Sequence, residues 1–317
     1  MSFRKPIIVD TDAGVDDAVA FLLLLNDPAV EVKAITTVSG NVSVDKVTRN
    51  IGLLLAELEL DIPIYSGSAL PLWGQPLRSE DIMGEDGFGG TASQFSRLPR
   101  LAENEAAASA LVRLAKDYQD LPGFTLVALG PLTNIALAVR MDPGFAAHVP
   151  YLVVMGGAVH AQGNTSAAAE FNTFSDPEAA QIVFSAGFAD VALISWETSL
   201  KNPLPWEDYE RLASLSSPKA QLFAAITHSL SQMMKDQFHM SGFILPDLLA
   251  AAAAVDASLA THIRPGFIDV DTAYGVGRGL TAVRWQFDHG TSANVRVFED
   301  VNATAIFERL TIALGRK

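Results

Sequence analysis

Short apolar runs and amphipathic stretches alternate along most of the chain. KPIIVD reads as a buried strand and DDAVAFLLLL as a helix. VEVKAITTVSGN reads as a strand that ends in a polar loop, and VSVDKVTRNIGLLLAEL carries apolar residues at helical spacing. PIYSG is a strand, NEAAASALVRLAKDY a helix and FTLVALG a strand. PLTNIALAVR starts a helix with Pro131 near its first turn. YLVVMGG is a strand, DPEAAQIVFSAG a helix closed by Gly187, and ADVALISW a strand. After about residue 200 the chain turns helix-rich; GFIDVDTA, TAVRWQF and NVRVFED then read as strands before a last helix.

Repeated strand-then-helix order predicts an α/β fold: an open, mostly parallel sheet flanked by helices. A helix-rich cap subregion is expected at about 200–260, and residues 1–317 are expected to form a single domain. Ligands in such folds bind beyond the C-terminal strand ends. The polar segments DTDAGVDD, SGN, LGPLTN and MGGAVHAQGN all fall there.

Composition narrows the choices. The net charge is −14, which disfavours nucleic-acid polymers as partners. There is no cysteine, so disulfides, zinc-thiolate sites and a Cys nucleophile are excluded. No apolar run approaches the roughly 18 residues of a membrane span. MSFRKPIIVD reaches an aspartate before a signal-like apolar region develops, so a soluble cytoplasmic protein is expected.

The densest chemistry lies in IIVDTDAGVDDAVA, where Asp10, Asp12, Asp16 and Asp17 crowd one strand-to-helix junction. Acids favour a helix N-terminus, and aspartates form turns. Those roles account for two or three of the four. Closely spaced carboxylates repel one another unless a cation intervenes, and hard oxygen ligands without Cys favour calcium or magnesium over zinc. A strand followed by DxD also admits a phosphotransferase with an aspartyl nucleophile, although the order here is DTDAG and no lysine-bearing partner motif follows.

VDTDAGVDDAVA resembles the N-terminal signature of the inosine–uridine-preferring nucleoside hydrolases, usually D-T-D-P-G-x-D-D. TVSGNV, LGPLTNIALA, MGGAVHAQGNTSAAAEFN and the following DPEAA resemble further family segments, in the same order. The resemblance is clear over the first 200 residues and looser beyond. It implies an open α/β fold with one Ca2+ in a deep pocket, and hydrolysis of the N-glycosidic bond of ribonucleosides to ribose and base. It further implies Asp12 as calcium ligand and general base for the water. Asp17, the Thr133 carbonyl and Asp247 would complete the calcium ligands. Asp16, Asn41, Asn164, Glu170 and Asn172 would hold the ribose, with Met83 and Phe171 beside the substrate and Asp10 in support. It also implies a homodimer or homotetramer. Taken one at a time, these residues have plainer readings. Asn41 suits a turn, Thr133 and Asn134 a helix start, Asp247 a first helical turn, and Phe171 simple packing.

Three positions depart from the family pattern. Ala13 replaces the signature proline, with little effect expected. Met83 and Pro246 stand where histidines are usual beside the base. A departing base needs a proton or other stabilisation, so this departure touches the leaving group and leaves ribose binding alone. His239, in DQFHMSGFILPD, is one substitute acid; a helix-end or surface histidine is the plainer reading of it and of His228. Glu85 and Asp86, in MGEDGFGG, would enter if that loop closed as a lid. Phe88, Trp73, Phe171, Phe238 and Phe243 are the aromatics placed to reach the base. The competing functions are a ribosyl-compound binding protein, a hydrolase of a non-standard ribosyl substrate, and the phosphotransferase.

Overall fold

The structure is a computed structural model and describes residues 4–287, 290 and 292–315. Its first strand, β1 (Lys5–Thr11), shows how the layers are made. Successive residues of a strand face opposite sides of the sheet. Ile7 and Val9 enter one apolar cluster, with residues of the helices Val15–Leu24 and Pro246–Val255. Ile8 enters the other, with residues of the helices Ala107–Tyr118 and Thr133–Met141. Burial on both faces explains why the strands read as near-continuous apolar runs.

The remaining strands are β2 (Val30–Thr37), β3 (Ile64–Ser66), β4 (Thr125–Ala128), β5 (Leu152–Met155) and β6 (Val191–Ile194). Then come β7 (Leu204–Pro205), β8 (Gly242–Phe243), β9 (Ala260–Val270), β10 (Thr281–Arg284) and β11 (Val295–Val301). Nine of them form one sheet in the order β10-β9-β11-β6-β5-β4-β1-β2-β3, and β7 and β8 pair separately. The pairings among β1 to β6, and of β6 with β11, are parallel. β9 runs antiparallel to both β10 and β11. The expected α/β architecture is therefore present. β1 has β2 on one side and β4 on the other, so the strand order reverses there. A crevice opens past the carboxyl ends of β1 and β4, and such crevices are where these sheets bind ligands.

Some expected details shift. The helix after β4 starts at Thr133, with Leu132 as its N-cap, so Pro131 precedes the first turn. Gly187 lies past the end of Pro177–Phe184, at φ 78. The helix-rich stretch contains Trp206–Ala213, Pro218–Asp236 and Pro246–Val255. The last of these is no cap. All ten of its residues are buried, and it packs on Val15–Leu24. Its alanine run, Ala250 to Ala254, lets the two helices approach closely. Among the described residues no helix is long and apolar enough to cross a membrane.

Candidate active site

Strand parity assigns the first polar residues. Asp10 lies on the Ile8 face, where its Oδ1 accepts hydrogen bonds from Thr36 Oγ1 and Asn134 Nδ2. Asn134 also donates to the Thr37 carbonyl and accepts from Ser68 N–H, so it ties together the ends of β1, β2 and β3. Thr11 lies on the Val9 face and donates to Asp17 Oδ1. Asp17 is the third residue of its helix, and its other oxygen accepts the N–H of the N-cap Gly14 at 2.7 Å. Two of the four crowded aspartates thus have their orientation set by the fold itself.

Asp12 is held differently. Its Oδ2 accepts the Asn41 N–H at 2.8 Å. Gly40 and Gly130 press on it from the β2 and β4 loops. A Cβ on Gly40 would stand 2.7 Å from Asp12 Cγ, and one on Gly130 3.0 Å from its Cβ. The Asn41 side chain is fixed in turn by Ser79, which donates to its Oδ1 at 2.6 Å. Ala13, between the acids, adopts φ 41. Proline cannot take that conformation. The alanine is therefore more than a loosened proline, because this turn has its own backbone shape.

Asp12, Asp16, Asp17 and Asp247 are all buried. Asp16, Asp17 and Asp247 each offer a carboxylate oxygen, and these lie within 4.8 Å of one another. Burial first, then the Asp17 charge, pushes Asp12 and Asp247 well above the usual carboxylate range. The same two causes bring Asp16 to about 7. Asp17 is raised by burial and held down by its bonds from Thr11 and Gly14. Burial also raises Asp10 to about 7. Asp16 Oδ1 is buried with no hydrogen-bond partner among the described residues. Crowded, buried carboxylates, one of them with an unpartnered oxygen, and no nitrogen or sulfur donor in the group fit a hard divalent cation. The tight group contains Asp16 rather than Asp12, but Asp12 belongs to the same field, since its charge raises Asp247. Thr133 stands at the first turn of its helix, its hydroxyl donating to Asp176 Oδ2 at 2.7 Å.

Asp12, Asp16 and Asp247 floor a cavity of about 560 Å³, a size suited to a small molecule. Asp12, Asp16, Asn41, Glu170, Asn172 and Asp247 line it, as do Asn164, Met83 and Phe171. Glu170 is the N-cap of Phe171–Ser175 and accepts the N–H groups of Gly157, Asn172 and Thr173. Burial raises its pKa, and those N–H bonds oppose the rise. Asn172 Nδ2 donates to the Leu129 carbonyl at 2.7 Å, and Asn164 Oδ1 accepts the Phe171 N–H at 2.9 Å. Each asparagine thus spends one end of its amide on the protein. Asn41 and Asn164 keep Nδ2 as donor, and Asn172 keeps Oδ1 as acceptor.

Above the floor the wall is apolar. It comprises Ile82, Met83, Trp196, Leu200, Leu230, Met234, Phe238, Met240, Ile244 and Pro246. Phe171 and Phe238 lie on the cavity. Phe88 and Phe243 are fully buried in the core, and Trp73 is exposed and donates to Tyr274 Oη. His239 adopts φ 51 and is exposed; both its neighbours line the cavity and it does not. His228 is exposed on another surface. The glycine loop is tied down rather than open. Asp86 accepts the N–H groups of Phe88, Gly90 and Ala92, and the Asp86 carbonyl accepts from Asn50. Ser79, Trp196 and Asp176 were missed in the sequence. Ser79 and Trp196 line the cavity, and Asp176 fixes Thr133 and caps the helix Pro177–Phe184. Only Asp176 carried a signal, the DP helix start.

A mostly parallel sheet with a carboxylate-floored cavity at its switch point marks an α/β protein built to bind a small molecule beside a divalent-cation site. Over residues 7–308 the chain matches the inosine-uridine preferring nucleoside hydrolases, and it belongs to that family. It is 34% identical over 308 residues to the pyrimidine-specific ribonucleoside hydrolase RihA of Salmonella arizonae, covering 96% of each chain. It is 36% identical to the non-specific ribonucleoside hydrolase RihC of Escherichia coli O127:H6, covering 94% of each. The structure of an inosine-guanosine nucleoside hydrolase superimposes with a TM-score of 0.92 at 29% identity, covering 99% of this chain and 100% of that one. Family membership sets aside the aspartyl phosphotransferase, and the strand residue Asp10 is in any case engaged by Thr36 and Asn134.

Proposed function

We propose that this protein hydrolyses the N-glycosidic bond of ribonucleosides, giving ribose and free base. The observation that carries the reading is the cavity floor, where buried carboxylates and half-engaged asparagines meet. Asp12, Asp17, Asp247 and the Thr133 carbonyl would hold calcium, with Asp16 offering an oxygen to the same space. Bound calcium would supply fixed positive charge, which orients hydroxyls and acidifies water. Asp12, steered by the Asn41 N–H, takes the proton of the water that attacks the anomeric carbon. Asp16, Asn41, Asn164, Glu170 and Asn172 hold the ribose hydroxyls, since the free amide ends offer both donors and acceptors. The acids also stabilise the positive charge that the sugar gains as the base departs. Phe171 and Met83 bound the base. His239 would act as a proton donor only after a turn of the Phe238–Met240 segment.

The residues are read as one domain because β9 to β11 complete the same sheet. A cytoplasmic setting belongs to the same reading; among the described residues no helix is long and apolar enough to cross a membrane. Family resemblance supports a homodimer or homotetramer, and the exposed Leu70, Trp73, Tyr274 and Val276 supply apolar surface for one. The test is ribose release from a panel of purine and pyrimidine ribonucleosides, before and after chelation. Release that stops on chelation and returns with calcium is expected. Calcium binding without release from any ribonucleoside would leave a ribosyl-binding protein as the better reading.

A further inference from the structure

We infer that this enzyme selects substrates by how readily the leaving group departs, and that its preferred class is ribosides whose base needs no proton from the protein. The inference rests on the nucleosidase reading and extends it to the substrate. Three observations carry it.

The first is the chemistry of the wall. The titratable side chains lining the cavity are Asp12, Asp16, Glu170 and Asp247, all on the floor. Over the base, Met83, Met234, Met240, Trp196, Phe171 and Phe238 present thioethers and aromatic faces. The rim adds only amides and a hydroxyl. No described lining residue above the floor can act as a general acid.

The second is shape. Four of the chain's seven methionines line this one cavity: Met83, Met155, Met234 and Met240. Unbranched, polarizable side chains adapt to differently shaped partners, so such a wall discriminates weakly by base outline. The third is charge. The floor is acidic, the net charge is −14, and aromatic faces attract cations. All three features favour a base that is already cationic.

The bookkeeping of the step follows. Water oxygen bonds to the anomeric carbon, the carbon–nitrogen bond breaks, and its electron pair goes to the base. The water proton goes to Asp12. An N-ribosylpyridinium then releases neutral pyridine, and the net products are ribose, pyridine and one proton. Inosine or uridine must release an anion, or take a proton from solvent at the base.

The experiment compares kcat/KM of the calcium-loaded full chain on inosine, uridine, an N-ribosylpyridinium and nitrophenyl riboside. General acids are worth typically about 10²–10⁴-fold, so the last two are expected to exceed the first two by about 10²-fold or more. A smaller spread overturns the inference, because it shows that the protein assists departure. The variant Met83→His places an imidazole on the wall. It is expected to raise the inosine and uridine rates about tenfold or more relative to those on the other two ribosides. A His239→Ala loss confined to inosine and uridine would also overturn the inference, by identifying a protein acid. Absence of ribose from all four ribosides defeats the nucleosidase reading itself. Release from all four at similar rates defeats only this inference.

Discussion

Asp10, in β1, and Asp12, just past its end, lie two residues apart, yet the structure gives them different work. Asp10 is enclosed by Thr36 and Asn134 and does not line the cavity. Asp12 lines it, with the Asn41 N–H on Oδ2. If Asp12 is the base, Asp12→Asn keeps the size and loses the proton acceptor. Its kcat is expected to fall by about 10²–10⁴-fold, while ribose, as a competitive ligand, still binds within about tenfold of normal. Parallel measurement of turnover and ribose binding checks this; near-normal kcat would sink the assignment. At this scale the sequence was readable wherever residues with chemistry crowd together. Ser79 was not readable, because its role is one hydrogen bond across 38 residues. The left-handed turn at Ala13 was not readable either, since alanine seldom marks one.

At the scale of elements, the loops after β1, β2 and β4 act as one device. Each ends a buried parallel strand, and each brings a residue against Asp12 or its neighbours. Gly40 shows how little room the device leaves. A methyl group there would crowd Asp12 Cγ at 2.7 Å and Cβ at 2.8 Å, so no simple rotation of the carboxylate relieves it. Gly40→Ala is expected to cost about 10²-fold in kcat/KM, the scale of a 1 Å misplacement, with a normal far-UV circular dichroism spectrum. Full activity in that variant would show that Asp12 tolerates displacement. Strands β1 to β6 were legible because burial on both faces writes continuous apolar runs. The far edge was less so. GFIDVDTA shows a strand, but nothing local tells that β9 begins at Ala260 and runs antiparallel to β11. Pro246–Val255 was placed in a cap because its neighbours are helical; its alanine-rich burial against Val15–Leu24 depends on a partner more than 200 residues away in the chain.

For the whole molecule, the carboxylate floor links stability to pH and to metal. An aspartate whose folded pKa lies above its unfolded value binds more protons when folded. Its contribution to stability is then full below the unfolded pKa and is lost as pH rises through the folded one. Asp10 and Asp16 move from 3.8 to about 7, and Asp12, Asp17, Asp247 and Glu170 shift the same way, burial being the largest cause for each. The metal-free protein should therefore lose stability as pH rises from about 4 to 7. Calcium binds the ionised acids, so it opposes that loss most strongly at the upper end of the window. Thermal melts in chelator and in excess calcium, at pH 5 and pH 7.5, separate the two effects. The calcium-induced rise in Tm is expected to be several degrees larger at pH 7.5. An equal rise at both values, or a metal-free protein that melts higher at pH 7.5, would mean that the floor does not carry the strain its burial implies, and the cation would then have to be held elsewhere.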